Sequence, residues 1–399
     1  MMPASRCASN PLVAPGLFIV GLGSQYPPYL LDHEKLTCFA GRFHDIRRPG
    51  LQKLLQINAS TGIETRSSIR SYETGFACDP VPPSIADLDE LFRRDGVDLA
   101  VQACMKAMKE AGVLPEQITH TVSVTCTNQG NPGYDLLVNE RLGLPERTSR
   151  ILLHGVGCAG GLSIMRVASQ VACGATMRGR QACILVYACE LCTPNVRHDL
   201  AEAEQCTDLS KVNIAGALFS DAAAAFILCN KTALEESSAS PIFELIEWDN
   251  ALIPDTMQHL TCYTDPYGFR SVLTKDIPTY AKGAIGPMFH KLLPSYEEQV
   301  LAADIHLGID DFDWAVHPGG KALIDGVQET MQLTEDQLQA SREIYRTRGN
   351  SSSPTILSVL DRLRTYEKQR GHVVAASFGP GMAIEMVMLK RCEVAGGGQ

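Results

Sequence analysis

Near the middle of the chain stands Ile151-Leu152-Leu153-His154-Gly155-Val156-Gly157-Cys158-Ala159-Gly160-Gly161-Leu162, an apolar run followed by a glycine-rich turn. Beyond the turn, apolar residues recur at helical spacing, at Leu162, Met165, Val167, Ala168 and Val171. The stretch therefore predicts a strand, a tight turn and a helix, with Cys158 at or just before the helix N-terminus. Free N–H groups and the helix dipole at such a place favour the thiolate, the form of cysteine that attacks a carbonyl carbon. Cys158 is thus either a nucleophile or one more buried cysteine.

Short apolar runs alternate with segments of helical period along the whole chain. We predict strands at 17–23, 119–125, 182–188, 223–228, 314–316, 373–378 and 384–389. We predict helices at 98–111, 158–175, 278–293, 322–331 and 354–369. This interleaved order indicates an α/β fold in which helices cover a largely buried sheet. A more polar segment at 231–240 divides the chain into two predicted domains, 16–235 and 236–392.

Composition excludes several classes of protein. The 399 residues carry 35 Lys and Arg against 45 Asp and Glu, a formal charge of −10, so the basic footprint of a nucleic-acid binder is missing. No apolar run reaches the roughly 18 residues of a membrane span, and no secretion signal is recognisable, which together predict a cytoplasmic protein. The 14 cysteines lack paired CxxC motifs, so we expect buried thiols in a reducing compartment and no structural zinc.

Two other polar turns carry candidate partners for Cys158. Val316-His317-Pro318-Gly319-Gly320-Lys321 places a histidine directly after a predicted strand. Arg348-Gly349-Asn350-Ser351-Ser352-Ser353-Pro354 is a polar turn before a predicted helix, and proline suits the first turn of a helix. Taken alone, His317 also fits a turn residue bonded to backbone, and Asn350 fits a turn or capping residue. The three segments together favour one shared site.

Four motifs, in order and rough spacing, resemble those of the type III polyketide synthases, the chalcone synthase-like enzymes. They are Gly157-Cys158-Ala159-Gly160-Gly161, His317-Pro318-Gly319-Gly320, Gly349-Asn350-Ser351-Ser352-Ser353 and Phe378-Gly379-Pro380-Gly381. The similarity runs from about Gly16 to Leu389 and is closer to the fungal and bacterial branches than to the plant one. It implies a thiolase fold, with two similar αβαβα halves in five layers, and a homodimer.

The resemblance also implies catalytic roles. Cys158 would accept an acyl group from a starter acyl-CoA, and His317 would hold Cys158 as a thiolate through an ion pair. His317 and Asn350 would together bind the enolate oxygen formed when malonyl-CoA loses carbon dioxide. The carbanion equivalent then attacks the acyl-Cys158 thioester, and repetition followed by ring closure releases the product. These steps call for CoA thioesters as substrates and for no metal or redox cofactor.

Further matches concern the wall of the cavity. Phe219 matches one of two gatekeeper phenylalanines, and the other falls on Ser271, where the lost ring opens room beyond Cys158. Asn128 and Asn195 stand where plant enzymes have threonines. These departures predict a fatty-acyl or other aliphatic starter and an alkyl pyrone or resorcinol-type product.

The remaining candidates each have a second interpretation. The loop matching the family's cyclisation cavity also fits an ordinary turn between strands; its members are Phe378, Gly379, Pro380 and Gly381. Glu190 matches a buried acid near the cavity and fits a structural carboxylate equally well, while Ser352 is expected to line the pocket beside Asn350. Candidate cations for the CoA phosphates, each also compatible with a solvated surface charge, are Lys53, Arg66, Arg70 and Lys321.

Three alternatives stay open from sequence. An initiating β-ketoacyl-carrier-protein synthase uses cysteine, histidine and asparagine in the same order, although a carrier protein would require a basic docking patch. Papain-like hydrolases also run Cys, His, Asn, but their active-site cysteine lies early in the mature chain. A non-catalytic acyl-CoA binder is the third, and the intact set of three residues disfavours it.

Overall fold

The computed structural model describes residues 14–300 and 306–392. The strands are β1 Leu17–Gln25, β2 Tyr29–Leu31, β3 Arg66–Ser68, β4 His120–Val124, β5 Ser149–Leu153, β6 Cys183–Leu191, β7 Asp221–Asn230, β8 Phe243–Leu252, β9 Leu260–Asp265, β10 Gly268–Leu273, β11 Phe312–Val316, β12 His372–Gly379 and β13 Ala383–Arg391. The α-helices are α1 His33–Phe43, α2 Pro49–Ser60, α3 Ile85–Leu91, α4 Val97–Ala111, α5 Tyr134–Arg141, α6 Gly160–Met177, α7 Val196–Gln205, α8 Ala215–Leu218, α9 Lys231–Glu235, α10 Ile277–Val300, α11 Lys321–Met331, α12 Gln339–Arg348 and α13 Ser353–Leu363. Among these residues, no helix is both long enough and apolar enough to span a bilayer.

Nine of the strands form one mixed sheet in the order β11-β12-β13-β8-β1-β7-β6-β4-β5. The sheet consists of two blocks joined edge to edge, β11-β12-β13-β8 and β1-β7-β6-β4-β5. The joint is narrow, since β1 pairs with β8 through only three residues, Leu17 to Ile19. Strands β9 and β10 form a separate antiparallel ribbon in which Ser271 faces Cys262. This ribbon forms one wall of a cavity.

Side chains alternate between the two faces of each strand, as the period of two requires. On β6, Ile184 and Val186 belong to a central core while Leu185 and Tyr187 belong to an outer one. The same alternation divides β12 between the central core and a third core. Both sheet blocks are therefore buried on both faces.

The cores define five layers. The central core holds α6 and α13 between the two sheet blocks, one outer core packs α4 against β1, β6 and β7, and the other packs α10 and α11 against β11 to β13. The order of layers is therefore helix, sheet, helix, sheet, helix, and the predicted five-layered αβαβα arrangement is confirmed.

All the predicted strands and helices are present, with shifted ends. The helix predicted from residue 158 begins at Gly160, because Gly157–Ala159 forms a 3-10 turn that carries Cys158. The helix predicted over 354–369 ends at Leu363. The pattern missed further elements, among them β8, the β9–β10 ribbon, α7 and α12. In α12 the buried residues are Ala340, Ser341, Ile344 and Tyr345, and so sparse an apolar stripe is hard to recognise among charged neighbours.

Candidate active site

Three separate elements deliver the three predicted catalytic side chains. Cys158 lies in the 3-10 turn between β5 and α6, and His317 follows directly on the last residue of β11. Asn350 follows α12, and its backbone bridges to Phe219 at the end of α8. Backbone hydrogen bonds hold His317 and Asn350 in place. The His317 N–H donates to the Ala376 carbonyl at 2.8 Å, and the Asn350 carbonyl accepts from the Ser220 N–H at 2.8 Å.

Cys158, His317 and Asn350 line one cavity, here called the triad cavity, with about 1110 Å³ of atom-free space. Their exposed fractions are 8%, 1% and 1%. The other lining residues are Ile57, Ser60, Thr61, Ile214, Leu218, Phe219, Leu260, Leu273, Thr274, Lys275, Ile277, Pro278, Gly319, Gly320, Lys321, Ala322, Leu323, Tyr345 and Phe378. Residues 158, 317 and 350, far apart in sequence, thus meet in one chamber.

A second cavity, here called the ribbon cavity, has about 620 Å³ of atom-free space and takes one wall from β9 and β10. It is lined by Cys126, Thr127, Gly157, Cys158, Cys192, Asn195, Asp199, Ala215, Phe219, Leu260, Thr261, Cys262, Phe269, Ser271, Leu273, Ser352 and Pro380. Cys158 and Phe219 line both cavities. An acyl group on Cys158 therefore has access to both chambers.

The Asn350 side chain is oriented by its own turn. Its Oδ1 accepts the Ser352 backbone N–H at 2.8 Å, which leaves the amide N–H₂ as the free functional end. That amide hydrogen-bonds toward the Cys158 thiol, whose pKa it helps to lower. Because an amide does not ionise near neutral pH, Asn350 is a fixed donor beside the sulfur.

Burial controls the charge of Cys158 and His317. It raises the pKa of the Cys158 thiol to about 11, against the smaller lowering effects of hydrogen bonds with Ser352 and Asn350. It lowers the pKa of His317 to about 3, and neither ring nitrogen has a hydrogen-bond partner among the described residues. In this arrangement the neutral thiol and neutral imidazole are favoured, so the thiolate–imidazolium pair stays a prediction. His317 is chemically able to accept the thiol proton during acylation.

Ser352 connects the nucleophile to the ribbon cavity. Its hydroxyl lies 3.5 Å from the Cys158 Sγ and 3.8 Å from the Cys126 Sγ. Its backbone φ is +58°, a left-handed conformation that is unusual for a residue with a Cβ. The chain is therefore held in a strained turn that sets this hydroxyl against the sulfur.

Two predicted cavity residues point elsewhere. Glu190 lines neither cavity and accepts hydrogen bonds from the Thr127 hydroxyl at 2.7 Å and the Ser353 hydroxyl at 2.5 Å. Burial raises the pKa of Glu190 against those hydrogen bonds. Asn128 also lines neither cavity and donates to Asp89 at 2.6 Å. Both side chains thus fix the loop behind the cavity wall.

Six other predicted wall residues reach the cavities, whereas Gly379 and Gly381 line neither. Phe219, Ser271, Asn195, Ser352 and Pro380 line the ribbon cavity, and Phe378 lines the triad cavity.

Backbone geometry explains why the loop from Phe378 to Gly381 contains two glycines. A Cβ at Gly379 would lie 2.5 Å from the Val156 carbonyl oxygen, and Gly381 has a φ of +121°. The loop packs closely onto the turn that carries Cys158, since a Cβ at Gly157 would lie 2.8 Å from the Pro380 Cδ.

Of the four predicted cations, Lys321 is the one that lines the triad cavity, where it pairs with Asp325 at 2.6 Å. Arg66 is buried and donates to the carbonyls of Gly216 and Phe219. The structure places the other two at separate surfaces, with Arg70 3.1 Å from Asp95 and Lys53 2.6 Å from the Leu209 carbonyl.

Sequence reasoning missed several lining residues, among them Cys126, Thr127, Cys192, Asp199 and Cys262. A signal existed for Asp199, because it stands four residues after Asn195, a spacing that places two side chains on one face of a helix. The three cysteines carried no signal that distinguished them from the other buried thiols.

In residues 14–300 and 306–392, His198, Asp199 and Glu202 are a group whose potential ligand atoms lie within 4.8 Å of one another. Protein groups already engage them: the Asn195 and Asn213 amides donate to Asp199, and Glu202 pairs with Arg270 at 2.9 Å. We therefore treat the group as a polar network of the protein and not as a metal site.

A five-layered αβαβα fold that brings cysteine, histidine and asparagine to one buried chamber defines a condensing enzyme of the thiolase class. Models of the chalcone and stilbene synthase N-terminal and C-terminal domains match residues 65–231 and 244–393. The chain therefore belongs to the type III polyketide synthases, and it is an acyltransferase that carries out decarboxylative condensation.

Individual relatives agree with this assignment. The type III polyketide synthase pspB of Penicillium soppii is 62% identical over 388 residues, which cover 95% of this chain and 97% of that protein. The acylalkylpyrone synthase csyB of Aspergillus oryzae is 35% identical over 377 residues, 94% of each chain. The crystal structure of a type III pentaketide synthase from Neurospora crassa superposes with a TM-score of 0.90 at 43% identity, over 94% of this chain and 100% of that one. The resemblance to the fungal branch is confirmed, and the hydrolase and carrier-protein alternatives are set aside.

Proposed function

We propose that this enzyme loads a fatty-acyl or other aliphatic starter from CoA onto Cys158, extends it with malonyl-CoA, and closes the chain to an alkyl pyrone or a resorcinol-type ring. The single observation that carries the proposal is the position of Cys158 at the junction of the triad and ribbon cavities. The name of the csyB relative, an acylalkylpyrone synthase, supports the same product class.

The triad cavity serves loading and decarboxylation in this proposal. His317 accepts the thiol proton as the Cys158 sulfur attacks the starter thioester. With the acyl group in place, His317 and the Asn350 amide bind the thioester oxygen of malonyl-CoA, where negative charge develops as carbon dioxide leaves. Lys321 and Lys275 both line this cavity, and they are the cations we assign to the CoA phosphates.

The ribbon cavity receives the growing chain. Its lining is largely apolar, with leucines, an alanine and three cysteine thiols besides that of Cys158. Phe269 on β10 also lines the cavity, but Ser271 leaves its own position on that wall without a ring, so an aliphatic chain has room beside Phe219. An aliphatic starter gains free energy from burial at roughly 0.8 kcal/mol per CH₂ group, which favours it over a short polar one.

We further propose a homodimer in the cytoplasm that needs no metal or redox cofactor. The loading and condensation steps use the three side chains and the two CoA thioesters alone. Size-exclusion chromatography with light scattering tests the dimer, and a chelator added to the purified enzyme tests the metal independence, for which unchanged turnover is expected.

The starter is tested by incubating purified protein with malonyl-CoA and a panel of acetyl-, hexanoyl-, long-chain acyl- and coumaroyl-CoA, with products identified by mass spectrometry. We expect extension of the aliphatic starters, and no loading in the Cys158→Ala control. Preference for coumaroyl-CoA over every aliphatic chain would contradict the proposed starter class while leaving the family assignment intact.

A further inference from the structure

Asp199 is a buried carboxyl group on the wall of the ribbon cavity, and none of the loading and condensation steps uses it. It lies on α7, and 3% of its surface is exposed. The amide groups of Asn195 and Asn213 both donate to its Oδ1, at 3.1 Å and 3.2 Å. These two bonds fix the carboxyl group in one orientation.

The second oxygen of Asp199 is different. Oδ2 has no hydrogen-bond partner among the described residues, and protein atoms do not enclose it completely. Because Asp199 lines the ribbon cavity, Oδ2 is the oxygen left to face it. The neighbour at 216 is a glycine, and a Cβ there would lie 3.4 Å from Oδ2, so the missing side chain keeps this oxygen uncovered.

We propose that Asp199 is the proton-transfer group for ring closure of the polyketide held on Cys158. The inference rests on the proposed function, because it needs a chain that extends from Cys158 into the ribbon cavity. Both residues line that cavity, so a chain that fills it passes the Asp199 carboxyl group.

The step balances without any other reactant. Asp199 Oδ2 takes a proton from a methylene group between two ketones, and the C–H electron pair becomes an enolate. The enolate oxygen bonds to the thioester carbonyl carbon, which closes the lactone ring of a pyrone, and the C–S bond breaks with its electron pair on the Cys158 sulfur. The proton then passes from Asp199 to the sulfur, directly or through water in the cavity, which restores the carboxylate and the thiol.

The surroundings suit a group that changes charge near neutral pH. Burial raises the pKa of Asp199 to about 8, and Glu202 on the same helix adds to the rise. The hydrogen bonds from Asn195 and Asn213 and the charge of Arg66 oppose it. Among the described residues, Tyr72 and the Cys262 thiol also interact with Asp199, and a ring nitrogen of His198 lies within 4.8 Å of its carboxylate. An acid–base group works best when its pKa lies near the operating pH.

The test uses Asp199→Asn, which keeps an oxygen for the Asn195 and Asn213 amides and removes the carboxylate oxygen that accepts the proton. Enzyme, starter and malonyl-CoA are mixed, quenched rapidly and examined by intact-protein mass spectrometry. We expect full-length polyketide to accumulate on Cys158 in the variant, with ring closure slowed by about 10²-fold or more. In the wild type, the rate of ring closure should increase as pH rises through about 8, because Asp199 loses its proton there. The variant should lack this increase.

Controls separate the possible failures. Asp208→Asn removes an exposed carboxylate beyond the end of the same helix and should leave ring closure unchanged. Undiminished loading of Cys158 in Asp199→Asn shows that the variant is folded, and Asp199→Ala should accumulate the same acyl-enzyme. Wild-type turnover in Asp199→Asn, or a change in chain length alone, would overturn the inference. If the wild-type enzyme extends no starter, the proposed function itself is wrong.

Discussion

Asn350 illustrates how one residue acquires a role from its turn. The side-chain oxygen Oδ1 of Asn350 accepts a hydrogen bond from the Ser352 N–H, so the side-chain N–H₂ group is the end available to the chamber. A donor fixed in advance stabilises developing negative charge without reorganising during the reaction. A substitution of this single residue therefore tests oxyanion binding.

Asn350→Asp keeps the acceptor oxygen for the Ser352 N–H and replaces the donor with a second acceptor. We expect malonyl-CoA decarboxylation to fall by about 10²–10³-fold, because a carboxylate repels the enolate oxygen. Release of carbon dioxide from labelled malonyl-CoA measures this, with acylation of Cys158 by the starter followed in parallel. Decarboxylation at the wild-type rate would show that Asn350 is not the oxyanion donor, and would favour a simple acyl-CoA binder.

Asp199 also predicts a pH dependence of stability. Its pKa is raised from 3.8 to about 8 in the folded state, so the folded protein retains a proton that the unfolded chain loses over this interval. The free energy of unfolding contributed by this group must then fall as pH rises from about 4 to about 8. Chemical denaturation of wild type and Asp199→Asn across that range should show the variant gaining relative stability with pH. A constant difference between the two proteins would contradict the raised pKa.

At the scale of elements, the β9–β10 ribbon determines the width of the ribbon cavity. Alternation sends Ser271 inward, while Val272 is 42% exposed on the other face. Helices α6 and α13 form the central layer, and their contact places the turn of Cys158 beside the turn of Asn350. We therefore expect the ribbon to affect product size and the contact between α6 and α13 to affect the geometry of the site.

Ser271→Phe should refill the wall of the ribbon cavity. We expect shorter starters to be preferred and products with fewer malonyl extensions, because a buried ring occupies space that the chain otherwise uses. Mass spectrometry of products from the same starter panel measures the shift. Val272→Phe adds the same ring to the outer face and is the matched control, so an equal shift in both variants would count against the assigned wall.

Gly161 sets the approach of α6 to α13. A Cβ there would lie 2.4 Å from both the Ile356 Cγ2 and the Ser353 carbonyl oxygen. Gly161→Ala should therefore destabilise the protein by about 1–3 kcal/mol through overpacking. Gly174→Ala on the same helix has open space around the new Cβ and should be neutral or stabilising by about 0.5–1 kcal/mol. Equal unfolding midpoints in denaturant for the two variants would refute the close contact.

Across the whole protein, the two sheet blocks share the central core. A polar clasp also joins α6, in that core, to β13. Glu385 on β13 accepts two hydrogen bonds from Arg166 on α6, at 2.8 Å and 2.9 Å, and one from the Ser163 hydroxyl at 2.9 Å. The carboxylate is buried and Arg166 is partly exposed. The clasp therefore ties the helix that follows Cys158 to the C-terminal sheet block.

Glu385→Ala should lower the free energy of unfolding by about 2–4 kcal/mol, since it leaves a partly buried guanidinium without its partner. Because the central core is shared, unfolding should stay a single transition, followed by fluorescence and circular dichroism together. Two separated transitions would contradict a shared core. Glu385→Gln retains an acceptor for Ser163 and Arg166 and should fall between wild type and Glu385→Ala.

The alternation of strands and helices, and the three turns that carry Cys158, His317 and Asn350, could be predicted from the amino-acid sequence alone. These features are local, because apolar period, glycine turns and strand ends depend on neighbouring residues. The tertiary structure decided which side chains face a chamber: it placed Asp199 and three further cysteines on a cavity wall, turned Glu190 and Asn128 toward the loop behind it, and buried Arg66. Such outcomes depend on distant segments packing together, and burial also sets the charge of Cys158 and His317, so no local pattern encodes them.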